Sequence, residues 1–397
     1  MLTVEEVQRL VLAQVQVGSV ESVAVELSLG RVLAQVVSTP QDIPAWANSA
    51  MDGYAVVCSD WTTDPEPVLV VVEEVPAGKV PRRVLTPGHC TRVLTGAMLP
   101  TGTEAVVMQE RTEELADGRV KFRYPPQRGQ FIRQQGEFRW AGAVLIAPGT
   151  PLTPAEIGIL ASLNYAQVQV QRPPLVAILS TGDELVPLGQ TPALGQVLDS
   201  NQPMLTALVR AGGGTPWNLG IVPDDPVALA EVLTRAKTAD FILSSGGVSV
   251  GTYDYVERVL DELGAQVLVR QMNLKPGKPL TFAHWEQACY WGLPGNPVSA
   301  FVGFWLTVYP ALRKALGYSE QDWLLPEEQA VLMGPLKAGG DRRHYLRGRL
   351  HQGQFQPFGV DNSANFANLS GVNAFAILEQ GQTLVQTGDS VRVVALP

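Results

Sequence analysis

Cysteine is scarce in this sequence: Cys58, Cys90 and Cys289 are the three among 397 residues, and no two form a CxxC pair. The scarcity excludes a small secreted scaffold held by disulfides, and the spacing excludes a cysteine-based zinc site. We expect three reduced and mostly buried thiols.

Histidine is also rare, with four residues in the chain. None has a second metal ligand at a spacing typical of a metal site, so we interpret all four as surface or core residues. No serine–histidine–acid or cysteine–histidine arrangement can be inferred. The residues concerned are His89, His284, His344 and His351.

Long apolar runs and an excess of positive charge are both missing. No run approaches the ~20 apolar residues of a membrane span. The net charge is −9 and the sequence pI is near 5.1, which argues against a general binder of nucleic acid or of anionic membranes. No signal peptide is visible, because residues 3–16 are interrupted by polar residues that include Glu5 and Glu6. We therefore expect a cytoplasmic protein.

The chain does contain enough apolar residues for several packed cores. Hydrophobic residues make up 46% of it and charged residues 17%, which is typical of a well-packed protein. Single cores rarely grow beyond ~250–300 residues, so this length predicts two to four structural units.

The pattern of residues changes four times along the chain. Thr3 and Glu6 predict a capping box, with the helical stripe Val4, Val7, Val11 and Val15 after it. A second amphipathic stretch covers 20–35. Residues 46–138 predict a small β domain, with short β-branched runs at 54–57, 68–72, 92–94, 105–109 and 120–123.

From 173 to 317, strands and helices alternate, which predicts a parallel sheet with helices on both faces. The predicted strands are 175–180, 218–222 and 241–245, and the predicted helices are 203–211, 226–237, 255–263 and 298–316. After Pro326 a period of two returns, at 345–350, 374–378 and 391–395, and predicts a C-terminal β domain.

Three loops rich in glycine and proline follow apolar runs after Ala239, at 246–255, 273–283 and 294–301. Such loops present backbone N–H groups to anions in α/β proteins, so together they suggest a site for a phosphorylated ligand. The first has the GxxxxG spacing of a phosphate loop, but Thr252 stands where a P-loop has lysine, and no GxGxxG occurs. An ordinary kinase, NTPase or dinucleotide-binding function is thus disfavoured. The alternative interpretation of this loop is a tight strand-to-helix turn that binds no ligand.

The KPGKP segment carries Lys275 and Lys278, with prolines that stiffen the loop and Gly277 that lets it turn. Two lysines held three residues apart can converge on one tetrahedral oxyanion. The alternative is a pair of exposed lysines on a flexible loop.

Acidic residues follow several predicted strands. Glu184 and its neighbour Asp183 are either loop acids or ligands for magnesium near a phosphate. Asp254 falls in the first turn of a helix, where it caps the helix or positions a metal ion or water. For the Asp199-Ser200-Asn201 and Asp224-Asp225 segments, N-capping or turn formation is favoured.

Six motifs together resemble those of the molybdopterin molybdenumtransferase family, which includes bacterial MoeA and the gephyrin E domain. They occur in the family's order and read NSAMDGYAV, VLTGAMLP, STGDEL, SSGGVSVGTYDYV, KPGKPLTFA and GLPGNPVSAF. The resemblance extends from the first helix to about Leu350.

The resemblance implies a multidomain α/β plus β fold in a subunit that works as a homodimer. An αβα, MogA-like, molybdopterin-binding domain would comprise 1–18 and 171–317, and a small linking domain 19–40 and 137–170. An inserted β domain would comprise 41–136, and a C-terminal β-barrel 318–397.

The implied reaction converts adenylylated molybdopterin plus molybdate, with Mg²⁺, into molybdenum cofactor and AMP. By this resemblance Asp52, Thr95, Glu184 and Asp254 would be catalytic, and Glu184, Asp254 and Asp52 would be on the metal side. The family's dimer would bring Asp52 and Thr95 of one subunit over the partner's αβα loops. The implied ligand-binding residues are Ser245, Gly246, Gly247 and Ser249 for the pterin phosphate, Lys275, Lys278 and Ser299 for molybdate or phosphate, and Pro294, Gly295, Asn296, Arg342 and Ser363 around them.

The chain departs from the family pattern at two places. Phe138 replaces an acid in the segment that starts at Gly136, and an aromatic ring cannot bind magnesium. The region of Ser363 lacks the usual serine pair. These departures favour the alternative hypothesis, a non-catalytic molybdopterin-binding or scaffold paralogue. A third hypothesis is an adenylyltransferase acting on molybdopterin. The expected protein partners are a molybdopterin adenylyltransferase and molybdoenzyme acceptors, with no nucleic acid and no membrane.

Overall fold

A computed structural model describes residues 1–246, 253–337, 339–358 and 366–397, and for 253–255 it describes the backbone alone. The chain divides into two compact units. The first comprises Met1–Gln35, Pro148–Ala161 and Tyr165–Pro397, and the second comprises Val36–Ala147 and Ser162–Asn164. No helix in these described ranges is long and apolar enough to cross a membrane.

The second unit contains the predicted small β structure. Its six-stranded sheet runs in the order Ala105–Met108, Gly53–Val56, His89–Val93, Val68–Val75, Arg119–Phe122 and Thr112–Glu114. Each of the five β-branched runs identified in the sequence overlaps a strand of this sheet. Short two-stranded pairs join Asn48–Ser49 to Ile132–Arg133 and Val37–Ser38 to Val144–Ile146. Tyr54 and Phe122 pack edge-to-face in the core, with their ring centroids 5.9 Å apart.

The first unit contains a six-stranded mixed sheet. Its order is Thr215–Val222, Leu175–Thr181, Phe241–Ser245, Ala288–Leu293, Pro279–Trp285 and Gln266–Gln271. The first four strands are parallel, as the alternation of strands and helices predicted. The strand Pro279–Trp285 runs antiparallel to both of its neighbours, Ala288–Leu293 and Gln266–Gln271. A two-residue turn at Glu286 joins Trp285 to Ala288, and so short a connection cannot return a parallel strand. The sequence interpretation treated 279–283 as part of a loop, whereas it is a buried strand.

Alternate residues of the central strand Leu175–Thr181 face two different cores. Val176 and Ile178 join the core that contains the first helix, whereas Ala177 and Leu179 join the core on the other face. Both faces of the sheet are therefore covered, which explains why this strand is apolar throughout.

The helices that cover this sheet follow the predicted pattern with one interruption. Thr3 and Glu6 form the predicted capping box of the first helix. The predicted helix 298–316 is divided by a π-helical turn, Phe304–Val308. Pro310 lies just after that turn and lacks the N–H of a regular helix, which accounts for the irregular hydrogen bonding. The α-helices of this unit are Val4–Gln14, Asn201–Ala211, Pro226–Ala236, Tyr253–Glu262, Pro297–Gly303 and Tyr309–Ala315, together with Pro154–Ser162 up to Ala161.

Residues 20–35 form a strand and a short 3-10 turn. The strand Val20–Ala24 pairs antiparallel with Gln167–Gln171. Two short strands, Leu185–Val186 and Val197–Leu198, pair in parallel. The 3-10 helices of the described chain are Val25–Leu27, Cys58–Trp61, Gln109–Arg111, Glu320–Asp322 and Phe366–Leu369.

The C-terminal strands close into a barrel, as the resemblance implied. Around the ring they are Arg343–His351, Gln354–Pro357, Glu327–Leu332, Ser390–Ala395 and Ala374–Leu378, and the last pairs again with the first. The short strand Leu274–Lys275 pairs with the start of Arg343–His351. A separate pair joins Leu336–Lys337 to Leu384–Val385. The strand pairing therefore places the KPGKP segment beside the barrel.

Candidate functional site

A cavity of about 970 Å³ lies at the carboxyl ends of the parallel strands in the first unit. This is the edge where α/β sheets bind ligands. Six residues predicted from the sequence line it: Glu184, Ser245, Gly246, Pro294, Gly295 and Asn296. Polar residues at the strand ends line the cavity, and so do the apolar residues Leu185, Leu188, Val197, Leu198 and Phe366.

Glu184 is held over the turn that follows strand Leu175–Thr181. Gly182 has φ +149°, and a Cβ placed there would lie 2.6 Å from Glu184 Oε2. Glycine at 182 therefore leaves the space that the carboxylate occupies. The neighbouring Asp183 accepts a hydrogen bond from the Asp224 N–H at 3.1 Å, which fixes this loop to the next strand end.

Gly246 brings three strand ends close together. Its N–H donates to Leu293 O at 3.2 Å. Its φ is +96°, and a Cβ there would lie 2.3 Å from Thr181 O. Only glycine fits this conformation and this close approach.

Asn296 caps the helix that begins at Pro297. Its Oδ1 accepts from the Val298 N–H at 3.1 Å. The side-chain oxygen is thus engaged in the cap, and the remaining amide N–H groups are the part of this residue available to a ligand.

The KPGKP turn packs against Ser299. A Cβ at Gly277, whose φ is +110°, would lie 3.5 Å from Ser299 O. Arg342 Nη1 donates to Leu274 O at 3.3 Å, which fixes the arginine to the same segment. Lys275, Lys278, Ser299 and Arg342 are absent from the lining of the large cavity. The structure therefore places the predicted oxyanion residues in a second group, joined to the cavity through Pro279 and the 294–299 segment.

Asp341 provides a carboxylate beside that second group. A hydrogen bond from Arg342 Nε at 2.9 Å, together with the charges of Arg342 and Lys275, lowers the pKa of Asp341. The positive charge of the lysine and the arginine is thus partly balanced locally.

Asp52 and Thr95 lie in the second unit and contact each other directly. Asp52 Oδ1 accepts from both the Thr95 N–H and the Thr95 hydroxyl, each at 2.7 Å. These two hydrogen bonds lower the pKa of Asp52. The resemblance implied that both are site residues, but the sequence did not predict that they are hydrogen-bonded to each other.

Several predicted residues lie outside the described part of the chain. These are Gly247, Ser249 and Ser363, together with the side chain of Asp254. Within the described ranges, no three histidine, cysteine, aspartate or glutamate side chains are grouped closely enough to hold a metal ion. Phe138, at the departure from the family pattern, is 50% exposed and lies in the second unit.

Sequence reasoning missed two polar residues of the cavity. Asp199 and Asn201 line it and are 4% and 7% exposed. The predicted capping is confirmed, because Asp199 Oδ1 accepts from the N–H groups of Asn201 and Gln202, each at 3.1 Å. Because capping already accounts for the Asp199-Ser200-Asn201 pattern, nothing in the sequence indicates that Asp199 and Asn201 also line a cavity. Asp225 likewise caps the next helix, while Asp224 lines the cavity.

Three family profiles match consecutive parts of the chain. The MoeA N-terminal region, domains I and II, matches residues 2–164. A probable molybdopterin binding domain matches 177–314. The MoeA C-terminal region, domain IV, matches 329–396.

Relatives that match most of the chain carry one name. A protein of Nostoc sp. named molybdopterin molybdenumtransferase is 43% identical over 380 residues, covering 93% of this chain and 87% of the relative. A protein of Haemophilus influenzae with the same name is 35% identical, covering 99% of this chain and 98% of the relative.

A solved structure has the same fold over the whole chain. The crystal structure of the molybdopterin biosynthesis MoeA protein of Pyrococcus horikoshii matches with a TM-score of 0.87 at 28% identity, covering 100% of this chain and 99% of that one. This match confirms the expected fold, with its αβα part and C-terminal barrel.

Proposed function

Since the chain belongs to the molybdopterin molybdenumtransferase (MoeA) family, we propose that it inserts molybdenum, converting adenylylated molybdopterin and molybdate into molybdenum cofactor and AMP. Its role is in molybdenum cofactor biosynthesis, and it is a transferase. A non-catalytic scaffold is not favoured, because the full-length relatives carry the name of an enzyme.

The observation that carries the proposal is the cavity at the strand ends. Its lining combines Ser245, Gly246 and Glu184 with several apolar side chains. Such a site suits a ligand with a charged phosphate end and a planar ring system. The second group, around the KPGKP turn and Ser299, suits a separate oxyanion.

We assign the roles accordingly. Ser245, Gly246, Gly247 and Ser249 would hold the pterin phosphate, near Pro294, Gly295 and Asn296. Lys275, Lys278 and Ser299, with Arg342 and Ser363, would hold molybdate, since ammonium, guanidinium and hydroxyl groups all donate to an oxyanion. The packing of Gly277 against Ser299 supports this grouping.

Magnesium fits the residues of the cavity. Mg²⁺ is commonly held by one or two carboxylates together with substrate phosphates. Glu184 and Asp224 line the cavity, and Asp199 Oδ2 is buried without a hydrogen-bond partner among the described residues. We propose Glu184 and Asp254 as metal-side carboxylates, with Asp52 as a third. The ion would neutralise charge on the phosphate anhydride as it is cleaved.

A homodimer is part of the proposal, with Asp52 and Thr95 acting at the partner's site. We also propose the four-domain division given by the resemblance, a cytoplasmic location, and transient exchange with an adenylyltransferase and with molybdoenzyme acceptors.

The test is release of AMP by the purified chain, supplied with adenylylated molybdopterin, molybdate and magnesium. We expect AMP and a product that activates an apo-molybdoenzyme. Lys278→Ala and Asp52→Asn should each reduce turnover at least about 100-fold if they stabilise the transition state. Lys237→Ala is the matched control, because Lys237 ends the helix before strand Phe241–Ser245, at the other edge of the sheet.

A chain that binds the adenylate without releasing AMP would contradict the proposal. Normal turnover in Asp52→Asn would contradict the role of Asp52. Omitting magnesium tests the metal separately, since the proposal then expects turnover to stop.

A further inference from the structure

Asn201 connects three parts of the cavity wall through one side-chain amide. Its Nδ2 lies 2.6 Å from Ser245 Oγ and 2.8 Å from Gly295 O. Ser245 ends one parallel strand, and Gly295 follows the end of the next. The contact therefore fixes two ligand loops to the first turn of the helix Asn201–Ala211.

The chemistry of the partners determines the direction of each hydrogen bond. Gly295 O can only accept, so the NH₂ group of Asn201 must face it. The second N–H of the same NH₂ group then points to Ser245 Oγ, which acts as the acceptor.

The hydroxyl proton of Ser245 is consequently left for another acceptor. Within the described residues, the acceptor it can reach is Pro294 O at 3.5 Å, which is at the limit of a hydrogen bond. Ser245 lines the cavity, so an oxyanion bound there would be a better acceptor.

Asp199 fixes Asn201 in turn. The Asp199 N–H donates to Val186 O at 2.9 Å, and its carboxylate accepts from the backbone of Asn201 and Gln202. The backbone from which the amide projects is therefore held on both sides, which limits rotation of the Asn201 side chain.

We infer that Asn201 is a positioning residue, whose amide N–H occupies one lone pair of Ser245 Oγ and so directs the Ser245 hydroxyl proton to an oxyanion in the cavity. This inference rests on the proposed function for the identity of that oxyanion, the phosphate of the pterin substrate. Asn201 would thus contribute to ligand affinity in addition to forming part of the first turn of its helix.

The experiment measures binding of inorganic phosphate to the full chain by calorimetry, and the KM for adenylylated molybdopterin. Asn201→Ala removes the donor and lets the Ser245 proton turn to Pro294 O. We expect phosphate affinity to fall about 3-fold to 10-fold, as for loss of one hydrogen bond. KM should rise by a similar factor with kcat little changed, because ground-state binding is what is lost. Asn201→Asp, which keeps the shape, should lower the affinity further, since its carboxylate accepts the Ser245 proton and repels the anion.

Non-additivity distinguishes this role from a structural one. Ser245→Ala should weaken phosphate binding by itself, and adding Asn201→Ala to it should cause little further loss. Thr206→Val is the matched control. Thr206 lies on the same helix and donates to Gln202 O at 2.7 Å, with Asn218 Oδ1 2.9 Å from its hydroxyl. The control should lower Tm and leave phosphate affinity unchanged.

Wild-type affinity in Asn201→Ala would overturn the inference, and so would losses that multiply in the double variant. If the coupling is found while the wild-type chain releases no AMP, the inference stands and the proposed function fails. If AMP is released normally and the coupling is absent, the inference alone fails.

Discussion

Thr95 donates two hydrogen bonds to one oxygen of Asp52, from its N–H and from its hydroxyl, both at 2.7 Å. The carboxylate lies immediately before strand Gly53–Val56, where the Asp52 O atom also accepts from the Gln109 N–H at 3.1 Å. Asp52 is therefore held as an anion by fixed donors on the surface of the second unit. Fixed donors of this kind stabilise the charged form of a carboxylic acid.

The first prediction concerns the pKa of Asp52. The backbone N–H of Thr95 contributes most to lowering it, followed by the Thr95 hydroxyl. Thr95→Val removes only the hydroxyl, so the pKa of Asp52 should rise and still remain below the usual ~3.9. Thr95→Ser should leave it unchanged. Carboxyl ¹³C chemical shifts followed against pH measure this, with Asp52→Asn identifying the signal.

The sign of the pH effect follows from the lowered pKa. The folded state holds the proton less tightly than the unfolded state, so this pair stabilises the fold above the usual aspartate pKa, and the contribution is lost as pH falls through the lowered value. An Asp52 pKa in Thr95→Val equal to that of the parent would show that the hydroxyl contact is unimportant.

The second prediction compares two glycines. Gly246 and Gly220 have φ of +96° and +88°. A Cβ at Gly246 would lie 2.3 Å from Thr181 O, whereas a Cβ at Gly220 would meet nothing within 4 Å. Gly220→Ala should therefore lower the free energy of unfolding only by the ~1–2 kcal/mol that a left-handed backbone conformation costs a residue with a Cβ. Gly246→Ala should cost about 1–3 kcal/mol more, because two strand ends must separate. Urea unfolding of both variants decides this, and equal losses of stability would contradict the close approach.

The third prediction concerns the thiols. Burial raises the pKa of the Cys90 and Cys289 thiols to about 12 in each case, while Cys58 is partly exposed. Since the thiolate is the reactive form, a thiol reagent at pH 8 should modify at most Cys58 in the native chain and all three cysteines in denaturant. Cys58→Ser should remove the native reaction. Rapid native labelling of Cys289 would show that the sheet core opens.

The sequence predicted those elements whose residue pattern is set by local burial. The stripe Val4, Val7 and Val11 gave the first helix, because one helical face is buried. The apolar run 241–245 gave a strand with those bounds, because both of its faces are covered. By contrast, the antiparallel pair around Glu286 was not predicted, since its turn lacks the asparagine–glycine or glycine-rich residues of common hairpins.

The candidate site could be predicted only where a motif or a loop composition marked it. Ser245, Gly246 and Glu184 were identified in this way, and they line one cavity. Asn201 was not, because its side-chain partners Ser245 and Gly295 lie 44 and 94 residues away in the sequence. A local pattern that already explains a residue as part of a helix start gives no information about such distant contacts.

The last prediction concerns the ion pairs around Arg343 and Glu379 in the barrel. Arg343 Nε lies 2.8 Å from Glu379 Oε2, and Arg343 also pairs with Glu5 of the helix Val4–Gln14. Burial opposes the charged form of Arg343, but the hydrogen bonds that Arg343 donates to Glu5 and Glu379 raise its pKa. Glu379 pairs in addition with Arg392, so Glu379→Gln weakens two contacts at once.

Because the Glu379 side chain is 44% exposed, we expect Glu379→Gln to lower the free energy of unfolding by only about 1 kcal/mol. Glu328→Gln, on an exposed position of barrel strand Glu327–Leu332, is the matched control and should have little effect. Urea unfolding at low salt and at 1 M salt measures both. The difference between the two variants should shrink at high salt, since salt screens exposed charge pairs. An equal difference at both salt concentrations would show that Glu379 stabilises the barrel through packing, with charge contributing little.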